Sequence, residues 1–416
     1  MQNCLILGGG LSGKAAERLA RHLGYSAAIL SDAPGLDADA AVAKADLIVT
    51  SPGVKPLRSP LWQAAMRRAE TGGCEFLGEL EFGFRHWEGK LLAVTGTNGK
   101  TTTTELTVAL LRAAGIDAHP AGNIGFPLSD LAADRLEGKL SAAALPVVEV
   151  SSFQLERADT FAPFAAALLN LESDHEDRYA GGFAEYVAVK KRIFDRVPAE
   201  NRVYGLSMDS PVPRRVTVYG DAMMIDGDEI LIDLGNTALP APHNRENLAA
   251  AVELCLRVLP TEAVLSPEFR LAVHTFQPGK HRLEPVAERD GVRYVDDSKA
   301  TNPASVVAAL RATPGRVVIL LGGLDKGMDF SPLAAWAEKI RFAVLYGECR
   351  AKIAAALPAS IPTADCGTDF GLAVKTAREQ AKPGDTVLLS PACASMDMFR
   401  DYKERGDRFA ELAATV

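Results

Sequence analysis

Apolar residues along this chain come in short unbroken runs, and each run stops at a glycine or a polar cluster. Cys4-Leu-Ile-Leu7 ends at Gly8, Ala27-Ala-Ile-Leu30 at Ser31, Ala45-Asp-Leu-Ile-Val-Thr50 at Ser51-Pro-Gly53, and Leu91-Leu-Ala-Val94 just before Gly96. Such runs, without polar alternation, read as strands covered on both faces. The stretches behind two of them, 14–23 and 106–111, repeat apolar residues at helical spacing. Strand, glycine turn, helix is the repeating unit of a parallel α/β sheet. The pattern continues through 145–150 and 165–171, then breaks into short strands around Gly205, Gly220 and Gly227, and resumes as a helix from His243 to Val252. After Gln277-Pro-Gly-Lys280 a fresh series begins, with strands expected at 292–297, 316–321, 342–346 and 386–389. The expectation is α/β throughout, in three domains. A Rossmann-like nucleotide-binding domain of four or five short strands covers 1–88. A central P-loop-type ATPase domain with a mostly parallel sheet covers 89–277, and a Rossmann-like C-terminal domain covers 278–416.

The turn after residue 95 carries the most specific chemistry. In Gly96-Thr-Asn-Gly-Lys-Thr-Thr102 the glycines bring backbone N–H groups close to phosphate oxygens. Lys100 adds a mobile cation, and Thr101 puts a hydroxyl where Mg²⁺ would bridge phosphates. The spacing departs from the full Walker pattern, because Val94 stands where a glycine is expected. A ligand-free turn is the bland alternative, and a Gly-Lys-Thr-Thr helix start behind a buried strand argues against it. The earlier turn, Gly8-Gly-Gly-Leu-Ser-Gly13, fits G-x-G-x-x-G, with Asp32 about twenty residues on. Because a second cradle begins by Leu91, only about half a dinucleotide fold has room to form. A nucleotide or nucleotide-sugar diphosphate fits there better than a complete NAD, and a structural turn is the third reading.

Other polar residues collect at the ends of the apolar runs. Glu149 is a carboxylate within the strand Val147-Val-Glu-Val150, costly to bury unless it meets a cation such as Lys100 or a phosphate-bound Mg²⁺; a strand-end salt bridge competes. Glu172-Ser-Asp-His-Glu-Asp-Arg-Tyr179 is equally a site for a hard cation with its phosphates or a solvated loop. Lys190-Lys-Arg192, in the middle turns of a helix expected over 183–197, reads by itself as a solvated face. Asn244 and Asn247 share one helical face and could hold an adenine edge or ribose, with an N-cap at Asn244 as the alternative. In the last domain 296–302, 322–327 and 390–395 sit at strand carboxyl ends, where open α/β sheets bind ligands. Arg282, just beyond the linker, could reach back to the nucleotide.

Composition narrows these readings. A chain of 416 residues, 48% hydrophobic, has material for two or three cores. A formal charge of −8 provides no basic footprint for nucleic acid, so phosphate binding must be local. The six cysteines form no Cys-x-x-Cys pair, which suggests reduced thiols rather than zinc or disulfides. No stretch reaches the length of an apolar membrane span, and no basic segment leads into a long apolar run. A soluble cytoplasmic monomer without membrane or nucleic-acid partners is expected.

With these residues in view the chain resembles the Mur ligases, the ATP-dependent amino-acid-adding enzymes of peptidoglycan synthesis. The resemblance runs from the Gly8 turn to Arg405. General signals are Gly96-Thr-Asn-Gly-Lys-Thr101, His243-Asn-Arg-Glu-Asn247 and Asp297-Ser-Lys-Ala-Thr-Asn302. Val150-Ser-Ser-Phe-Gln-Leu-Glu156, Asp174-His-Glu-Asp-Arg-Tyr179 and Leu389-Ser-Pro-Ala-Cys-Ala-Ser-Met-Asp397 resemble the D-glutamate-adding branch. That branch joins D-glutamate to UDP-N-acetylmuramoyl-L-alanine through an acyl phosphate, and the resemblance implies ATP and two Mg²⁺ ions.

The resemblance also implies roles. Gly96, Thr97, Asn98, Gly99, Lys100, Thr101 and Thr102 match ATP-binding positions, as do Asn244, Asn247, Arg282 and Asp297. Lys100 would stabilise the transferring phosphoryl group, and Thr101 with Glu149 would hold one Mg²⁺. His175 would bind the second together with Lys190, which matches a lysine that the family carries as a carbamate. Leu11, Ser12, Asp32, Ser51, Pro52 and Gly53 match the uracil and diphosphate pocket, while Asn123, Gln154 and His175 match further contacts to the uridine-nucleotide substrate. Lys299, Thr301, Lys326, Ser395 and Tyr402 match positions that hold the incoming glutamate. Tyr402 stands where phenylalanine is common, and Gly279-Lys-His-Arg282 replaces the usual Leu-Pro-His-Arg. The alternatives are a Mur ligase for another amino acid and a folylpolyglutamate synthase-like ligase. A nicotinamide oxidoreductase would rest on Gly8 to Gly13 alone, and a nucleotide-gated binding module would leave the three C-terminal polar loops unexplained.

Overall fold

The structure, a computed structural model, describes residues 2–174, 178–227, 229–237 and 242–415. His175, named above as a metal and substrate residue, lies outside them, as do Glu176 and Asp177. The described chain forms two compact units. The first comprises Met1–Leu171, Ala184–Pro240 and Asn244–Phe276; the second comprises Glu172–Phe183, Ala241–His243 and Gln277–Val416.

The first unit contains two parallel sheets. One joins β1 (Asn3–Leu7), β2 (Ser26–Leu30), β3 (Leu47–Thr50) and β4 (Glu75–Gly78) in the order β2-β1-β3-β4. Ile6, Ile48 and Val49 are fully buried, as expected of strands covered on both faces. Helix Leu11–His22 packs on this sheet through Ala15, Ala16, Leu19 and Ala20. Its entry is tight: a Cβ at Gly13 would lie 1.8 Å from the Gly8 carbonyl oxygen, so no other residue fits.

The second sheet joins β5 (Leu92–Thr95), β6 (Ala118–Gly122), β7 (Leu145–Glu149), β8 (Ala165–Leu168) and β9 (Arg202–Tyr204) in the order β6-β7-β5-β8-β9, all parallel. A separate antiparallel sheet of β10 (Val216–Tyr219), β11 (Ala222–Ile225) and β12 (Glu229–Asp233) shares its core, where Leu92, Leu106 and Val147 meet Val216, Met223, Leu248 and Phe269.

Within this unit, carboxylates fasten the helices around the first sheet to those around the second. Arg18 spreads its guanidinium over Asp134 at 2.6 Å, Glu137 at 2.7 Å and Asp130 at 3.3 Å. Deeper in, Glu79 accepts the Ser129 N–H at 2.8 Å and Glu81 accepts the Thr160 N–H at 3.0 Å.

The second unit holds a six-stranded sheet in the order β13-β14-β18-β15-β16-β17. Its strands are β13 (Glu284–Arg289), β14 (Val292–Asp296), β15 (Val317–Gly322), β16 (Ile340–Tyr346), β17 (Thr363–Asp365) and β18 (Thr386–Ala392). Only the β13–β14 pair is antiparallel.

Two expectations need correction. Residues 183–197 do not form one helix: an α-helix over Gly182–Lys191 tightens into a 3₁₀ turn over Arg192–Phe194. Lys190 and Lys191 therefore close the helix instead of standing in its middle. Residues 284–289 and 363–365, not expected as strands, pair at the two edges of the last sheet. Edge strands tolerate charge and proline, so Glu284-Pro-Val-Ala-Glu-Arg289 lacks the apolar run that marks the interior strands. Among the described residues no helix is long and apolar enough to cross a membrane.

Burial pushes the Glu79 carboxyl up from 4.5 to about 7, and its Oε2 has no hydrogen-bond partner. The fold disfavours the ionised form, so stability is fully retained below pH 4.5 and falls as pH rises through about 7. Glu79→Gln keeps an acceptor for Ser129 and should stabilise by roughly 2–3 kcal/mol at pH 8, with no gain at pH 4. Scanning calorimetry at both pH values checks this; equal gains at both would show that ionisation is not the cause.

Candidate active site

The phosphate cradle leaves β5 at Thr95 and is fixed by the neighbouring strand. Asn170, just past β8, accepts the Thr97 N–H on its carbonyl at 3.0 Å and the Asn98 N–H on its side chain at 2.8 Å. Its amide returns a bond to the Asn98 carbonyl at 3.2 Å. Gly99 then turns with φ of 84° into helix Lys100–Ala113. A Cβ at Gly99 would stand 2.1 Å from Asn247 Oδ1, so the loop can approach helix Pro242–Cys255 only because that atom is missing. Asn247 accepts from Thr103 Oγ1 at 3.4 Å and donates to Asn244 Oδ1 at 3.4 Å, which puts both asparagines on one face behind the cradle. Lys100 folds over its own loop, donating to the carbonyls of Gly96 at 2.9 Å and Thr97 at 2.7 Å.

One strand over, Glu149 pairs in register with Val94 and is 1% exposed. Its Oε1 accepts from Asn123 Nδ2 at 2.7 Å, while Oε2 is buried without a hydrogen-bond partner. A bare carboxylate oxygen in the interior is costly, and a cation bound by oxygen would satisfy it. The residues present therefore fit Mg²⁺. Asn123, matched to a substrate contact, here positions Glu149. Gln154 has its amide oxygen engaged in the capping box of Ser151, accepting from the Ser151 N–H and hydroxyl at 2.9 Å.

Lys190 is 2% exposed. Its Nζ donates to the Gly96 carbonyl at 2.7 Å and stands 4.9 Å from the Tyr186 ring, whose hydroxyl lies 3.0 Å from Thr97 Oγ1. The solvated-face reading thus holds for the exposed Lys191 and fails for Lys190. A buried lysine against the phosphate loop is chemistry that charge clustering alone does not reveal.

The glycine turn of the first sheet opens on a pocket of about 250 Å³ lined by Gly8, Asp32 and Gly53. Asp32 accepts the Leu61 N–H at 3.0 Å, so it also holds the start of helix Pro60–Glu70. Ser51 donates to the Gly8 carbonyl at 3.2 Å, and Leu11 is 79% exposed. Lys55 and Arg58 line the same pocket and escaped the sequence reading.

In the second unit Lys299 lies 3.9 Å over the Tyr402 ring, and Lys326 Nζ is 3.5 Å from the Thr301 carbonyl. Asp297 accepts from Ser390 Oγ at 2.8 Å; burial, the largest effect, pushes its carboxyl up to about 7. Arg405, fully buried, ties two loops to its own helix, Tyr402–Thr415. It donates to Ser298 Oγ at 2.9 Å, to the Ser298 carbonyl at 2.7 Å and to the Cys393 carbonyl at 3.1 Å, while Ser298 Oγ donates to the Tyr402 carbonyl at 2.8 Å. Lys299, Ser395 and Tyr402 are thereby anchored by their neighbours. In sequence Arg405 looks like any helix-surface charge; no local signal marks it.

Residues 94–218 match the Mur ligase middle domain, and residues 281–393 match the Mur ligase glutamate ligase domain. The UDP-N-acetylmuramoylalanine–D-glutamate ligase of Aromatoleum aromaticum is 40% identical over 99% of this chain and 97% of its own length. The protein of the same name from Aquifex aeolicus is 34% identical over 98% of this chain and 97% of its own. Among solved structures, a pseudomurein peptide ligase type C from Methanothermus fervidus superposes with a TM-score of 0.58 at 18% identity, covering 94% of this chain and 96% of that one. A murein peptide ligase from Psychrobacter arcticus gives 0.56 at 16% identity, with 100% and 99% covered. At that identity the superpositions speak for the fold.

Arg405→Met should lower the melting temperature, with a loss of about 3 kcal/mol or more, because carbonyls of Ser298 and Cys393 would lose a buried donor. Calorimetry checks this, and an unchanged melting profile would remove Arg405 as the anchor.

Proposed function

This chain belongs to the Mur ligase family, and from that premise we propose that it joins D-glutamate to UDP-N-acetylmuramoyl-L-alanine, with conversion of ATP to ADP and phosphate. Near-full-length identity to D-glutamate ligases supports the substrate. The observation that carries the chemistry is the bare, buried Glu149 oxygen one strand over from the cradle.

In this reading the terminal phosphoryl group of ATP passes to the alanyl carboxylate, giving an acyl phosphate. The glutamate amine attacks its carbonyl carbon, and the tetrahedral adduct expels phosphate to leave the amide. Each step moves negative charge between oxygens, so positioned cations supply most of the stabilisation. The cradle N–H groups and Lys100 bind the phosphates; Lys100 sits on the carbonyls of Gly96 and Thr97, within its own loop's reach. Mg²⁺, when bound, neutralises phosphate charge. Thr101 and Glu149 would hold one ion, and His175 with Lys190 a second. Lys190 can serve only as a carbamate, formed when its neutral amine adds to CO₂ and loses a proton, because an ammonium would repel the metal.

Asn244, Asn247, Arg282 and Asp297 are proposed for the nucleotide, and Leu11, Ser12, Asp32 and Ser51 to Gly53 for the uridine diphosphate. Lys299, Thr301, Lys326, Ser395 and Tyr402 are proposed for the glutamate. The cytoplasm, where such nucleotide substrates are made, is the location proposed for this activity.

Purified protein with Mg²⁺-ATP and UDP-N-acetylmuramoyl-L-alanine should release phosphate only when D-glutamate is added, forming a product heavier by one glutamyl residue. Release with L-lysine or meso-diaminopimelate instead would move the enzyme to another branch, and silence with every amino acid would overturn the ligase reading. Lys190→Ala should abolish turnover, with partial recovery in a short carboxylic acid that supplies the missing anion. Full turnover of that variant without rescue would rule the carbamate out.

A further inference from the structure

An amino acid that enters as a nucleophile presents its pocket with two kinds of charge. The residues proposed for glutamate, Lys299, Thr301, Lys326, Ser395 and Tyr402, offer cations, hydroxyls and an aromatic ring, all suited to carboxylates or to the chain between them. None of them is an anion that could hold the ammonium end.

A carboxylate does touch this set within the second unit. Asp174 is only 7% exposed. Its Oδ1 lies 3.9 Å from Lys326 Nζ, and its Oδ2 accepts from Asn302 Nδ2 at 3.4 Å. Lys326 in turn lies 3.5 Å from the Thr301 carbonyl, so Asp174 reaches two of the proposed glutamate residues, one directly and one through Lys326. Asn302 is itself fixed, because its Oδ1 caps helix Pro303–Ala312 by accepting the Ser305 N–H at 2.8 Å. That bond settles which way the amide faces and gives Asp174 a rigid donor.

Three other carboxylates of this unit meet partners outside the proposed glutamate residues. Asp296 meets His281 Nδ1 at 2.6 Å, Asp297 accepts from Ser390, and Asp325 pairs with Lys352 at 3.1 Å. The Lys326 contact is a long ion pair at 3.9 Å, beyond the roughly 2.7–2.9 Å of a close charge-assisted bond.

We propose that Asp174 binds the ammonium group of the incoming amino acid, orienting the nitrogen while Lys326 and its companions hold the carboxylates. This rests on the ligase reading and adds to it a residue that selects for an amine at a fixed offset from two carboxylates. Glutarate, which has both carboxylates and no amine, separates this role from a mere tether of Lys326.

The test compares the KM for D-glutamate with the inhibition constant of glutarate, in the wild type and in Asp174→Asn. Loss of one charge-assisted contact predicts a KM increase of about tenfold or more, with glutarate inhibition changed by less than about twofold. Asp174→Glu, which retains the charge, should keep part of the preference for glutamate over glutarate. Both quantities are independent of the fraction of active protein, so partial misfolding does not blur them. Equal weakening of both ligands, or no change in either, would overturn the assignment while leaving the ligase reading intact. A wild type silent with D-glutamate would overturn that reading, and the assignment with it.

Discussion

Parallel pairing of β5 with β7 on one side and β8 on the other is the constraint from which the first unit's chemistry follows. Parallel strands in register end at the same level, so whatever follows each strand is delivered to one edge. Here that edge receives the cradle from β5, Glu149 from β7 and Asn170 from β8. No long-range search is needed to assemble them, since the hydrogen-bond ladder already has. Slipping one strand by a residue would turn Glu149 to the other face of the sheet and separate it from the loop.

Charge is placed with the same economy in the helix that covers this edge. Lys190 and Lys191 are adjacent in sequence, yet one is buried against the Gly96 carbonyl and the other is exposed. A helix rotates by about 100° per residue, so neighbours face different surroundings. The change to a 3₁₀ turn directly afterwards ends the helix where the buried lysine needs its backbone held.

These two lysines show what the sequence made legible and what it did not. The α/β class, the cradle and the glycine turn were readable because sterics restrict them: a glycine at 13 or 99 answers a missing Cβ, and an unbroken apolar run answers two covered faces. Glu149 was readable because a carboxylate inside Val147-Val-Glu-Val150 breaks such a run. Lys190 needed the resemblance to related chains, since a lysine in a charged stretch has the same local signature whether buried or solvated. Asn170, Arg405, Lys55 and Arg58 were missed for the same reason. Their importance lies in partners distant in sequence, and periodicity carries no information about those. The edge strands β13 and β17 were missed because strands with one open side need no continuous apolar face.

The strand order of the six-stranded sheet has a consequence for how the protein is made. β18, which leaves the ribosome after β13 to β17, lies between β14 and β15. Until residues 386–392 emerge, the earlier strands can form only two partial sheets, each with an unpaired inner edge lined by buried side chains such as Val318, Leu320 and Tyr294. Those edges are templates for pairing with other nascent chains. Synthesis of residues 386–392 therefore covers both edges at once, and a chain halted before it leaves a sheet without its centre.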